Sequence, residues 1–258
     1  MSIHRADDGA ELFYEESGSA GEGLPLVLLP GMLGSLSEQW VVEAEAFATH
    51  RRVLRLELRG HGHSRAARGS LSPRRLTADL LGLLDAQRIE RCHLAGYSLG
   101  GYLGLALATR EPDRIASLLM HGTKFYWQPE SVATTLSQLD PATIRAKVPR
   151  YALQLEAAHG PAWAELLGRC ADLVTEVASD GLTETDLRGV TCPTLVSVGD
   201  RDALVPVEEA RRLQAALPQG QLLVMPAVGH PFGQVPTALL QLSIERLLAT
   251  VERPDDRR

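Results

Sequence analysis

Residues 94–104 read LAGYSLGGYLG. One polar side chain, Ser98, stands among apolar residues, with Gly96, Gly100 and Gly101 around it. The run before it, 92–97, has strand character. The run after it, 99–110, is apolar nearly all round, as a buried helix is. A serine between such a strand and helix occupies a sharp turn. Its backbone is strained there, and its hydroxyl stands exposed above the sheet. Glycines at 96 and 100 fit that picture, because a side chain at either place would collide with the neighbouring strand or helix. Amides at the start of the helix, from Leu99 onward, favour negative charge developing beside the serine. The bare spacing Gly-x-Ser-x-Gly is weak, arising by chance in such a chain with probability on the order of 0.1. A glycine-rich turn carrying a solvated serine is the competing reading.

Working outward, the same rhythm repeats. Residues 11–16, ELFYEE, follow Asp8-Gly9 and read as part of an opening hairpin. PLVLL at 25–29 is a continuous apolar run, as in a buried parallel strand. A helix is expected over 38–49, where Trp40, Val41, Ala44 and Phe47 share one face. VLRLEL at 53–58 alternates as a strand does, and Ser72-Pro73 opens a helix to about Asp85. Strands follow at 115–120, 194–199 and 221–225, and helices at 207–217 and 236–250. Strands alternating with helices predict an α/β fold with a doubly wound, mostly parallel sheet. Residues 124–189 break the rhythm, with two or three helical patterns and no strand. The expected division is a core of 1–123 and 190–258 with a helical cap inserted at 124–189. The charged tail RPDDRR is expected to fray.

Composition narrows the function. The chain has 258 residues, 45% hydrophobic and 22% charged, with a formal net charge of −6 and no basic stripe. That argues against nucleic acid and against an anionic membrane as partners. The N-terminus MSIHRADDGA lacks the apolar stretch of a signal peptide, and no run approaches a membrane span. Cys92, Cys170 and Cys192 are odd in number and lack metal spacing, so a reduced, cytoplasmic setting is expected. Cys92 and Cys192 read as small buried hydrophobes.

A serine hydroxyl needs a base to take its proton and a third group to orient that base. TLVSVGDRDALVP at 194–206 puts Asp200 and Asp202 just past a strand, and LLVMPAVGH at 222–230 puts His230 just past the next. Ligand sites in such sheets lie at the carboxyl ends of the strands.

With LLPGMLGS at 28–35, RGHGHS at 59–64, GYSLGG at 96–101, GDRDALVP at 199–206 and VGH at 228–230, the chain resembles the α/β-hydrolase fold, in its serine-dependent esterase and lipase group. The resemblance covers everything but the cap. It implies Ser98 as nucleophile, His230 as general base and, by its place in the Gly-x-x-Asp-x-x-x-Pro segment, Asp202 rather than Asp200 as the acid. It implies an oxyanion hole from the amides of Met32 and Leu99. Pro30 stands where the family usually has histidine, and Glu57 where aspartate is frequent; Glu57 is expected to affect loop packing only. The implied activity is a carboxylesterase-like serine hydrolase acting on esters or thioesters of small apolar acyl groups. A lactonase, a C–C hydrolase, a cofactor-free perhydrolase and a non-catalytic binding relative are the alternatives. The position after the elbow glycines is Tyr102, not the arginine of a menaquinone-pathway relative.

Candidate substrate contacts are Leu33, Tyr97, Phe125, Tyr126 and Trp127, with a structural anchor as the equal competing reading of the run Phe125-Tyr126-Trp127. Trp163 is expected in the cap core, and Lys124, Arg145 and Arg150 on a solvated face. His61 and His63 have no third ligand at matching spacing, so no metal and no cofactor are expected. The expected partner is a small-molecule acyl substrate, the expected assembly a monomer or homodimer.

Overall fold

The computed structural model of the protein describes residues 1–19, 21, 23–67 and 69–252. The tail RPDDRR, 253–258, lies outside the described residues. The strands are β1 (Ser2–Arg5), β2 (Glu11–Ser17), β3 (Leu26–Leu29), β4 (Val53–Leu56), β5 (Cys92–Tyr97), β6 (Ile115–His121), β7 (Thr194–Gly199) and β8 (Gly220–Met225). They form one sheet in the order β1-β2-β4-β3-β5-β6-β7-β8. The pairs β1/β2 and β2/β4 are antiparallel, and every pair from β4 to β8 is parallel.

The apolar run in β3 is explained by burial on both faces. Leu26 and Leu28 enter the layer with helices α1 (Val41–Ala48) and α9 (Thr237–Glu252), beside Trp40, Phe47 and Ile244. Val27 and Leu29 enter the opposite layer with α2 (Pro73–Ala86) and α3 (Leu99–Arg110), beside Leu83, Leu94 and Leu105. At about 25 cal/mol per Å² of apolar surface, these two layers supply the main drive to fold. The first helix begins later than its periodicity indicates. Trp40 has φ 63°, outside the helical region, and its Nε1 donates to the Leu29 carbonyl at 2.8 Å. The alternation in β4 also differs in meaning from a water-facing strand. Arg55 is held by the Leu36 and Gln39 carbonyls and by Glu15, so the polar positions point at partners rather than solvent.

Four helices lie between β6 and β7: α4 (Pro129–Gln138), α5 (Pro141–Lys147), α6 (Pro149–His159) and α7 (Trp163–Asp180), with no strand among the described residues there. Three of them open on proline, which suits the first helical turn because its amide would go unpaired anyway. After β7 the chain forms α8 (Val207–Ala216).

The order of strands fixes where a site can form. The chain leaves β3 toward β4 on one side, then returns to lay β5 on the other. The loops after β3 and β5 therefore separate over a crevice at the carboxyl edge, the switch point of a doubly wound sheet.

Candidate active site

At that switch point, Leu29 of β3 is in register with Gly96 of β5. Two residues further along each chain stand Gly31 and Ser98, and a Cβ built on Gly31 would lie 3.3 Å from the Ser98 Cβ. Ser98 has φ 50° and ψ −114°, a conformation L-residues seldom adopt. It is held from several sides. Its amide donates to the His121 carbonyl at 2.8 Å, and its carbonyl accepts from Gly101 at 3.1 Å and from Thr123 Oγ1 at 3.2 Å. The flanking glycines have steric reasons to be there. A Cβ at Gly96 would sit 2.3 Å from the Gly100 backbone, and one at Gly100 would sit 2.4 Å from the Leu29 carbonyl oxygen.

Ser98 Oγ lies 3.3 Å from His230 Nε2, and His230 Nδ1 lies 2.8 Å from Asp202 Oδ2. The other carboxylate oxygen, Asp202 Oδ1, accepts from the Leu204 and Val205 amides at 2.8 and 2.9 Å. Burial pushes the Asp202 carboxyl up. The imidazole and the two amides together outweigh it and hold the group below its ordinary value. Asp200 is exposed and uses its backbone amide to bind the Met225 carbonyl. Of the two aspartates past β7, Asp202 is the one hydrogen-bonded to the imidazole. The Ser98–His230 separation is at the long end for a hydrogen bond, as often seen before a substrate tightens such a contact.

Met32 and Leu99 line the same cavity as Ser98. Neither amide has an intrachain hydrogen-bond partner among the described residues, so both are free to donate. Pro30 is buried, and Gln39, which the sequence reading passed over, braces this loop instead. Its Oε1 accepts from the Gly31 amide at 2.8 Å. Glu57 is fully buried and accepts from the Leu36 and His63 amides, tying two loops together. A further brace comes from α6. His159 Nδ1 accepts from the Gly62 amide at 3.0 Å, which leaves Nε2–H to donate to the Leu33 carbonyl at 3.0 Å.

The cavity encloses about 470 Å³ of non-protein space, part of it open to solvent. Leu173, Val174 and Val177 of α7 and Trp127 form apolar walls over Ser98. Of the five sequence-expected substrate contacts, only Trp127 lines it. The Tyr97 side chain is buried below the elbow, where its hydroxyl donates to the His230 carbonyl at 2.8 Å and burial raises its pKa. Leu33 turns with φ 63° and presents its carbonyl to His159. Phe125 is buried, edge-on to Tyr126 with ring centroids 5.0 Å apart. Tyr126 faces an outer groove, donating to Glu184 at 2.7 Å beneath the Arg212 guanidinium. Each of the four is thus taken up by an internal partner.

Lys124 also departs from expectation. It is not on a solvated face: its side chain is 6% exposed, lines the cavity, and places Nζ 2.8 Å from both oxygens of Glu209. Glu209, 85 residues away on α8, supplies the partner that makes burial tolerable. Arg145 and Arg150 are exposed, Arg145 stacking on the buried Trp163 ring at 4.7 Å. His61 is fully buried. Its pKa is lowered to about 3, chiefly by burial, and it meets His159 edge-on at 5.5 Å, while His63 lies at the surface beside Glu57.

Comparison with known proteins agrees with this architecture. The chain is 33% identical over 248 residues to the dihydrolipoyllysine-residue acetyltransferase component of the acetoin cleaving system of Pseudomonas putida, covering 88% of this chain and 64% of that protein's length. It is 33% identical over 270 residues to a Variovorax paradoxus protein named for carbamate hydrolysis, covering 94% of this chain and 98% of the other. A thermophilic esterase from Thermogutta terrifontis superposes with a TM-score of 0.76 at 27% identity, covering 95% and 96% of the two chains. The α/β hydrolase family model matches residues 26–242, and the chain belongs to the α/β hydrolase family.

Proposed function

We propose that the protein is a serine hydrolase of carboxylic esters or thioesters with small, largely apolar acyl groups. The reading is carried by one juxtaposition: Ser98, His230 and Asp202 are joined in a line, and Met32 and Leu99, whose amides have no intrachain partner among the described residues, line the same cavity. Membership of a hydrolase family, with relatives named for carbamate hydrolysis and for transacetylation, supports attack on an acyl carbon.

In this mechanism Ser98 Oγ attacks the acyl carbonyl carbon while His230 Nε2 takes its proton. Asp202 fixes the imidazole with Nδ1–H toward itself, so that Nε2 is the free base, and it stabilises the imidazolium. The carbonyl oxygen becomes an oxyanion and accepts from the Met32 and Leu99 amides. As the intermediate collapses, the bond to the alkoxy or thio group breaks and the leaving atom takes the proton from His230. Water then gives a proton to His230, attacks the acyl-serine and releases the acid, and the proton returns to Ser98. The helices between β6 and β7 serve as a lid that keeps bulk water from the acyl group.

The test is a panel of p-nitrophenyl esters, acyl thioesters and lactones with wild type and Ser98→Ala. Turnover of short and medium acyl esters or thioesters, abolished by the substitution, is the expected result. Turnover confined to lactones, or none in a folded protein, would overturn the reading.

A further inference from the structure

Two side chains that carry hydrogen-bond donors line the largely apolar cavity over Ser98. Trp127 lines the cavity, and its indole Nε1 is fully buried without a partner. A buried donor left unmatched is costly. Beside it, Lys124 Nζ lies 5.9 Å from the centroid of the same ring and also belongs to the cavity lining. An ammonium has three donors, and the two oxygens of Glu209 account for two of them.

Given Ser98 as the nucleophile, on which this inference rests, we propose that Trp127 and Lys124 determine specificity by receiving a neutral oxygen acceptor carried on the acyl chain, such as a keto or alkoxy oxygen. The neutrality follows from charge. Glu209 already balances Lys124, so a carboxylate here would add an uncompensated negative charge among Leu173, Val174 and Val177. A plain alkyl chain would instead leave the indole N–H unmatched. A keto or ether oxygen satisfies both donors without bringing charge.

The experiment compares p-nitrophenyl esters of equal chain length: the alkanoate, its 3-, 4- and 5-oxo isomers, and the ω-carboxylate. Wild type is expected to favour one oxo isomer over the alkanoate by about tenfold in kcat/KM, the scale of one to two net hydrogen bonds. The ω-carboxylate should be the poorest of the set. Trp127→Phe keeps the ring and removes the donor, so the oxo-to-alkanoate ratio should fall toward one. Equal turnover of oxo and alkyl esters by wild type, a preference for the ω-carboxylate, or an undiminished ratio in folded Trp127→Phe would overturn the proposal while the hydrolase reading stands. No turnover of any ester, with Ser98 unlabelled by a fluorophosphonate, would overturn both.

Discussion

At the scale of single residues, one line of hydrogen bonds joins Ser98, His230 and Asp202. Asp202 is buried, accepts from two amides and touches His230, whereas Asp200 faces solvent. Asp202→Asn would offer Nδ1 a donor where it needs an acceptor, favouring the wrong tautomer. A loss of about 10⁴ in kcat is expected, as for a related triad. Asp200→Asn should stay within about twofold, and steady-state kinetics of the two variants checks the pair. This level was largely legible beforehand, because the elbow glycines, the order of serine, acid and histidine, and their places after strands are local features. Lys124 was not legible. Its partner Glu209 is 85 residues distant, and nothing in the run TKFYW announces an acid on α8. The Gln39 brace was hidden for a similar reason, since a glutamine eight residues beyond the loop carries no signal until the loop folds back.

At the scale of elements, steric fit decides. Gly100 lets α3 approach the end of β3, and its missing Cβ would come 2.4 Å from the Leu29 carbonyl oxygen. Gly100→Ala must push strand and helix apart and move the Ser98 turn. It is expected to lower the unfolding midpoint in urea clearly and to abolish turnover. Gly168, on the exposed face of α7, has nothing within 4 Å of a built Cβ. Gly168→Ala should therefore stabilise by about 0.5–1 kcal/mol through the helix preference of alanine, read in the same urea titration. The helical segment was legible as helical, but its division into four was not drawn from periodicity. Pro129, Pro141 and Pro149 were the available signal, each marking a first turn. The late start of α1 was invisible because Trp40 continues the apolar period while its backbone turns left-handed to reach the Leu29 carbonyl.

At the scale of the whole molecule, the sheet order carries the function: β3 and β5 lie side by side, so the Met32 loop and Ser98 meet. Reading alternating strands and helices gave that architecture, since the parallel pattern depends on burial of both faces. The interior also sets a response to acid. Burial lowers His61 to about 3 and His121 to about 4, and lowers His93 and His159 as well. His61 and His121 therefore stay neutral in the folded chain above about pH 4, while in the unfolded chain they protonate near ~6.5. Below that pH the unfolded state binds more protons, so stability falls as pH drops from about 6.5 toward 4, by up to about 1.4 kcal/mol per pH unit for each proton. Melting temperatures between pH 7.5 and 5 should decline before the carboxylates begin to titrate, and His121→Gln should flatten the slope.

The central claim is that Ser98 is an activated nucleophile, and the most direct measurement is mass spectrometry after exposure to a fluorophosphonate. One phosphonyl adduct on the peptide containing Ser98 is expected, formed quickly by wild type and absent from Ser98→Ala and from His230→Ala at the same exposure. A folded wild-type chain that takes up no label, or takes it at another residue, would contradict the account.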